Sequence, residues 1–420
     1  MTASRFPIAM ALLGTVACAD APTTIGPVLH DQIALTPSDP TAEAALGRMI
    51  FFDQRLSVNQ NQSCAACHDP TSGWTGPLSV VNAAGAVYEG SIAGRFGNRK
   101  PPSSAYATLS PVFHLAVERK DALFVGGNFW DGRATGEQLG NPAADQALGP
   151  FLNPLEQALA TPGDVVTTIC TGPYVSQFTA VWGAQICDPA RIPEAFDAVG
   201  LSIAAFEGSS ESNAFSSKFD LYQAGHARLT AEEHRGLALF KGKGKCAACH
   251  VLDGGPNGEA LFTDFTFDNI GVPKNPENPF YGMPAEFNPA GAAWLDPGLG
   301  GFLETRPEFQ GMAADNLGKQ KVPTLRNLDL RPSPEFVKAY GHNGYFKTLA
   351  GIVNFYNTRD VKPTCPGPFT EAQALAAGCW PAPEIATNVN REELGNLHLT
   401  GRQEQALVAF LRTLSDGYRR

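Results

Sequence analysis

Apolar residues recur at helical spacing in several short stretches, separated by long irregular ones. Ala45, Leu46, Met49 and Ile50 share one face of an expected helix. Leu237 and Phe240 follow a capping box from Thr230 to Glu233, in which each side chain satisfies a backbone N–H of the first turn. Pro193 opens a helical stretch over 192–206, since its fixed φ suits a first turn. Thr348 precedes a stretch over 349–356, and a second box, Thr400 to Gln403, precedes Leu407, Phe410, Leu411 and Leu414. Long two-residue alternation is absent, so the expected fold class is mainly α with long irregular loops. The polar stretch 207–223 reads as a linker.

A chain of 420 residues is too long for one core and divides by default into two domains. Charged residues are 17%, with 43 glycines and 33 prolines, which makes the chain loop-rich without making it disordered. The net charge of −10 offers no basic surface to a phosphate backbone, so nucleic acid is excluded as a partner. At the amino terminus Arg5 precedes an apolar run from Pro7 to Ala17, the length of a secretory signal rather than of a membrane span, and residues 1–19 read as that signal. Ala17-Cys18-Ala19 suits ordinary cleavage. Thr15 to Cys18 forms a lipobox lacking its leading Leu, which would leave a lipid anchor on Cys18 as the sole membrane attachment.

Nine cysteines change the picture most. Four lie in two identical pentapeptides, Cys64-Ala65-Ala66-Cys67-His68 and Cys246-Ala247-Ala248-Cys249-His250. C-x-x-C-H is the attachment signature of c-type haem: the thiols add to the vinyl groups and the adjacent imidazole becomes the proximal iron ligand. Composition alone yields roughly 0.004 such matches per chain. A zinc site would need the ligands of both motifs to converge, and a thioredoxin-like pair leaves His68 and His250 unexplained. Two covalently bound haem c groups are expected. Of the rest, Cys170 with Cys187 and Cys365 with Cys379 sit among Gly and Pro outside any helical pattern, and each pair could close a loop worth roughly 3 kcal/mol. Free thiols are the alternative for these four. Each haem motif follows a short helix, so the plan is a duplicated one: a first haem domain over 38–215 and a second over 216–420.

Beyond these motifs the chain resembles the bacterial di-haem cytochrome c peroxidase and MauG family over nearly all of the expected mature sequence. The matching runs are 51–57 (Phe-Phe-Asp-Gln-Arg-Leu-Ser), Trp130-Asp131-Gly132-Arg133, 149–156 (Gly-Pro-Phe-Leu-Asn-Pro-Leu-Glu), 322–327 (Val-Pro-Thr-Leu-Arg-Asn), Gly341-His342-Asn343-Gly344 and 355–359 (Phe-Tyr-Asn-Thr-Arg), in the family's order. The resemblance implies two cytochrome c-like haem domains in the periplasm, a peroxide-reacting haem in the first and an electron-transfer haem in the second. Glu156 matches the family's catalytic acid, Gln146 and Pro150 its neighbours, and Trp130 the tryptophan between the haems. Asp131 and Arg133 would hold that indole or neutralise haem propionates.

The sixth iron ligands decide the kind of enzyme. No His falls between His68 and His114, so the first iron is expected to be open, with His114 as the fallback ligand. Tyr356 stands where peroxidases of the family carry Met and MauG-like members Tyr; a phenolate favours ferric iron, a thioether ferrous. Met312 or Met283 would substitute if Tyr356 were only core. The family's Ca2+ between the haems meets Lys100 where Asn is usual, and a cation there opposes a hard-cation site, with Asn98 as compensation. The implied function is an oxidoreductase that reduces hydrogen peroxide with electrons from cytochrome c or a similar donor. The alternatives are MauG-like oxidation of aromatic residues on a partner protein and a di-haem electron carrier, against which Glu156 and the absent distal His speak.

Overall fold

The structure, a computed structural model, describes residues 40–118 and 121–419; the expected signal segment and Cys18 lie outside them. In chain order the helices are α1 (Pro40–Phe51), α2 (Ser79–Ala83), α3 (Pro142–Leu152), α4 (Pro162–Cys170), α5 (Val175–Trp182), α6 (Ile192–Glu207), α7 (Lys218–Gln223), α8 (Ala231–Lys241), α9 (Gly298–Glu304), α10 (Leu349–Thr358), α11 (Glu371–Ala377) and α12 (Gly401–Leu411). Strands are few. β1 (His114–Glu118) and β2 (Asp121–Val125) form an antiparallel hairpin, and the short β3 (Phe267–Asp268) and β4 (Gln320–Lys321) pair antiparallel. The mainly α expectation holds.

The two halves repeat one helix crossing. α1 lies against α6 so closely that a Cβ on Gly47 would stand 1.8 Å from the Ser202 carbonyl oxygen. One turn further on, Phe51 packs on Phe206 at 5.2 Å between ring centroids. In the second half a Cβ on Gly236 of α8 would stand 2.0 Å from the Ala406 carbonyl oxygen of α12, and one turn on Phe240 meets Phe410 at 5.2 Å. Only glycine permits backbones this close, and the phenylalanines fill the space where the helices diverge. The buried stripe of α1 is accordingly Glu43, Leu46, Gly47 and Ile50, whereas Ala45 and Met49 of the expected face are exposed. On α12 the expected residues Leu407, Phe410, Leu411 and, just beyond, Leu414 are all buried.

Three expectations are corrected. Residues 207–223 are no free linker. Glu207 is buried, Asn213 Oδ1 accepts the Tyr106 N–H at 2.5 Å, Ser217 and Asp220 form the capping box of α7, and Asp220 pairs with the buried Arg326 at 2.6 Å. Asn213, Ser217 and Asp220 thus bond to each other's segments and to the core, while Glu207, Ser209 and Ser212 each bury an oxygen without a partner. Cys170, expected outside helices, is the last residue of α4, whose capping box is Thr161 with Asp164. It is joined to Cys187, and Cys365 to Cys379 across α11. His114, the expected fallback ligand, is exposed on β1 with Nδ1 against the Val112 carbonyl and does not line the cavity that His68 and His250 share. The hairpin's inward face packs Phe124 and Leu115 onto Phe113, Phe267, Leu299 and Leu303.

Candidate active site

Both pentapeptides adopt the same local form. Each opens as a single 3-10 turn, Cys64–Ala66 and Cys246–Ala248, and the histidine N–H bonds back to the first cysteine's carbonyl, at 3.0 Å for His68 and 2.9 Å for His250. His68 Nδ1 lies 3.2 Å from the Trp74 carbonyl and His250 Nδ1 2.8 Å from that of Phe262. A carbonyl accepts only, so Nδ1 carries the proton and Nε2 keeps a free lone pair. Trp74 and Phe262 both have left-handed backbones, φ 60° and 55°, a conformation that costs about 1–2 kcal/mol for such residues and that turns each carbonyl onto its histidine. Burial pushes His68 down to about 4 and lowers His250, so both imidazoles stay neutral, the form that binds iron. Cys64, Cys67, Cys246 and Cys249 are the free cysteines among the described residues.

The two histidines line one largely apolar cavity, together with Trp130, Gln146 and Tyr356. At the second motif Cys246, Cys249 and His250 face an apolar wall that includes Leu261, Val272, Leu349, Leu407 and Leu411, an arrangement that fits a haem, and His68 of the first motif lines the same cavity.

Around the first motif, α3 carries Gln146, and the turn after it carries Glu156. Asn141 caps α3, and Pro150, which has no N–H to give the Gln146 carbonyl, lies two residues before the helix ends. The turn is pinned: Glu156 N–H bonds the Asn153 carbonyl at 3.0 Å, and its own carbonyl accepts the Ser91 N–H at 2.7 Å. Burial raises the Glu156 carboxyl, opposed by the Arg133 guanidinium and a hydrogen bond from the Asn153 side chain. Arg133 in turn stacks at 3.8 Å over Phe129, a cavity residue, and bonds both oxygens of Asp131 at 2.9 Å. Trp130 is buried, and its Nε1–H donates to the Lys100 carbonyl at 2.8 Å.

Around the second motif the notable residue is Tyr356, on the cavity-facing side of α10, with burial as the main force raising its phenol far above the ordinary range. Met312 and Met283, the alternative ligands, are not cavity residues; Met312 packs beside the hairpin core and Met283 is buried elsewhere. Asp268 and Glu393 flank Cys249 and share the Asn390 amide, at 2.7 and 2.8 Å.

Beside Trp130 lies a buried charge network that pattern reading does not reveal. Arg99 bridges Asp131 at 2.5 Å and Asp296 at 2.6 Å, and Asp296, held well below the carboxylate range by Arg99, lies 3.9 Å from His342. Lys100, Lys321 and Lys338 are also buried or partly buried cavity residues. Lys338 donates to three carbonyls, of Ser72, Asn327 and Leu330. The Lys100 ammonium donates to Thr75 Oγ1 and the Pro101 carbonyl, 2.9 Å each. The Lys100 side chain offers a cation no ligand oxygen where Asn is usual, and burial pushes its amine down to about 7, so Lys100 itself does not fit as a calcium ligand. The backbone carbonyl of Asn98 accepts from the Asn278 amide at 2.9 Å.

Residues 41–228 match the family described as di-haem cytochrome c peroxidase. The methylamine utilization protein MauG of Paracoccus denitrificans is 35% identical over 384 residues, covering 90% of each chain. Cytochrome c551 peroxidase of Nitrosomonas europaea is 30% identical over 76% of this chain and 74% of its own. Among solved structures, the diheme peroxidase BthA from Burkholderia thailandensis is similar with a TM-score of 0.71 and 30% identity, covering 90% of this chain and 87% of that one. The duplicated motifs, the cavity they share and these relatives lead to one conclusion: the chain belongs to the di-haem cytochrome c peroxidase and MauG family, a family of haem-dependent oxidoreductases.

Proposed function

We propose that this protein is an exported, periplasmic enzyme that reduces hydrogen peroxide to water with two electrons drawn from a redox protein such as a cytochrome c. The observation that carries this reading is Glu156, a carboxyl raised by burial on a pinned turn beside the thiols of the first motif. The haems, attached through Cys64 and Cys67 and through Cys246 and Cys249, supply the iron at which the O–O bond breaks and in which oxidising equivalents are stored. His68 Nε2 would hold the first iron. Glu156 takes a proton from one peroxide oxygen and returns it to the other, helped by a pKa nearer neutrality than an exposed glutamate has. Gln146, a cavity residue on α3, orients the peroxide. Trp130 relays electrons between the two sites, and His250 with Tyr356 would hold the second iron.

A second reading, MauG-like oxidation of aromatic residues on a partner protein, is favoured by Tyr356 alone, since a phenolate ligand would stabilise oxidised iron long enough to reach a slow protein substrate. Stopped-flow mixing of the diferric protein with peroxide tests both. Glu156→Gln should slow the haem spectral change by roughly 10²–10⁴ while both haems stay bound. Rapid turnover with reduced cytochrome c identifies the peroxidase, and a persistent oxidised state quenched by a partner's Trp or Tyr identifies the second reading. No spectral change at all leaves only an electron carrier.

A further inference from the structure

We propose that Lys100 anchors a propionate carboxylate of the haem carried at the first motif and so joins that haem to Trp130. The inference goes beyond the peroxide-reducing reading: it needs a haem at His68 and is indifferent to what the iron reduces. Lys100-Pro101-Pro102-Ser103 and Lys321-Val322-Pro323-Thr324 are one device built twice. Ser103 Oγ donates to the Gly73 carbonyl at 2.9 Å and Thr324 Oγ1 to that of Leu261 at 2.6 Å, while the Thr75 and Thr263 hydroxyls donate to the Pro101 and Val322 carbonyls at 2.6 Å each. The segments so engaged are those whose middle carbonyls, of Trp74 and Phe262, hold His68 and His250. A lysine therefore leads the strip of chain beside each motif. The two lysine backbones also grip Trp130, whose Nε1–H donates to the Lys100 carbonyl at 2.8 Å and whose carbonyl accepts the Lys321 N–H at 2.7 Å.

The side chains of this repeated lysine end differently. An ammonium has three donors. Lys321 spends all three, on Ser110 Oγ at 2.5 Å, Asn128 Oδ1 at 3.2 Å and the Gly127 carbonyl. Lys338 spends three on carbonyls. Lys100 spends two, on Thr75 Oγ1 and the Pro101 carbonyl, and its third donor is unmatched. Its charge is unmatched as well: among the described residues no carboxylate pairs with it, whereas Arg99, Arg133 and Arg326 each have one. The groups it shares its surroundings with are basic, since Lys347 opposes its charge and it opposes those of Lys338 and His68 in turn.

Lys100 is 7% exposed and lines the cavity together with His68 and Thr75. An unpaired ammonium is costly in such a place, and burial pushes this one down to about 7. A haem supplies what the site lacks, because its ring is flat and apolar and one edge carries two propionate carboxylates. A carboxylate on the free donor of Lys100 forms a charge-assisted hydrogen bond and favours the charged amine, reversing the effect of burial. The carbonyl of the same residue holds the indole N–H, so the haem and Trp130 would share Lys100 as a common support. Lys321, with every donor spent on the chain itself, braces the indole from the other side and anchors nothing.

The test is a spectroelectrochemical titration of the holoprotein, with resonance Raman spectra of its haems. Lys100→Met leaves a propionate as an unpaired anion, which favours ferric iron. The ferric-to-ferrous ratio of one haem at fixed potential should rise at least tenfold, about 59 mV for a one-electron couple, and the propionate band of that haem should move. The other haem should stay within twofold of wild type, and the affected haem should be the one retained when Cys246 and Cys249 are both replaced by alanine. Lys100→Arg, which keeps the charge and a donor, should stay within threefold. If Lys100→Met does not fold, Lys100→Gln replaces it, since an amide still serves Thr75 and the Pro101 carbonyl and lacks only the charge. An unmoved potential and band, a shift confined to the second haem, or an equal shift in Lys100→Arg overturns the anchor. A first motif without haem by mass overturns the anchor together with the haem reading beneath it. None of these measurements uses peroxide, so a failure of the peroxidase reading is seen separately, as a wild-type protein that binds both haems and does not respond to peroxide.

Discussion

The two haem-motif sites share the same five residues, the same 3-10 turn and the same histidine-to-carbonyl bond from a left-handed residue, yet different side chains face them. At the first, Gln146 and the ionisable Glu156 come from one helix and the turn that ends it; at the second, a phenol on α10 stands among leucines. On the proposed reading, attachment is a local, portable device written in consecutive residues. Reactivity is written about 80–110 positions downstream, in residues that only the fold brings to the motif.

The largest effect should come from deleting the portable part. Cys246→Ala combined with Cys249→Ala should remove one haem completely from the denatured, acid-acetone-extracted protein, as read by mass, and leave the other in place. Loss of both would mean that the halves are not independent in attachment.

Exchange of the facing residue sharpens the contrast next. Tyr356→Phe should alter the ferric spectrum of one haem only, and Tyr356→Met should raise that haem's potential by on the order of 100 mV, because a thioether favours ferrous iron. An unchanged spectrum would make Tyr356 core packing and the two sites more alike than they look.

The smallest expected effect concerns flanking acids. Asp268 and Glu393 share Asn390 beside Cys249, whereas Glu207, near Cys64, has a buried carboxyl oxygen with no partner and is pushed up to about 8. Its folded-state pKa lies above the ordinary 4.5, so the folded chain keeps a proton that the unfolded chain releases. Stability from this group is full below pH 4.5 and is lost as pH rises toward 8. Glu207→Gln should flatten thermal stability between those limits and add on the order of 1–3 kcal/mol at the upper one, measured by calorimetry at several pH values.

Local signals were legible in the sequence and distant ones were not. The boxes at Thr230 and Thr400 and the cap at Thr348 all form, because a cap needs only residues three apart. The box at Thr161 uses Asp in place of Glu, and the one at Thr370 heads a helix of seven residues, too short for periodicity to announce. α3 hides behind Gly149-Pro150, which reads as a break and does fall two residues before the helix ends. The candidate site residues Gln146, Trp130 and Tyr356 were placed by resemblance, and nothing in their own spacing marks a cavity. Lys100, Lys321 and Lys338 belong to a residue type that is mostly exposed, and their burial depends on carbonyl and hydroxyl oxygens contributed by other segments. Gly47 and Gly236 look like weak points in their helices, since the backbone each must admit arrives from far along the chain.

That arrival has a consequence for how the protein matures. Gly47 meets Ser202 across 155 residues of chain and Gly236 meets Ala406 across 170, so each crossing is a long loop closure, a slow class of folding event. Cys64 and Cys246 each lie inside the loop so closed. A half stays open until its last helix docks, so if the chain is exported and binds haem as proposed, its thiols would be accessible to the cofactor before α6 docks on α1, or α12 on α8.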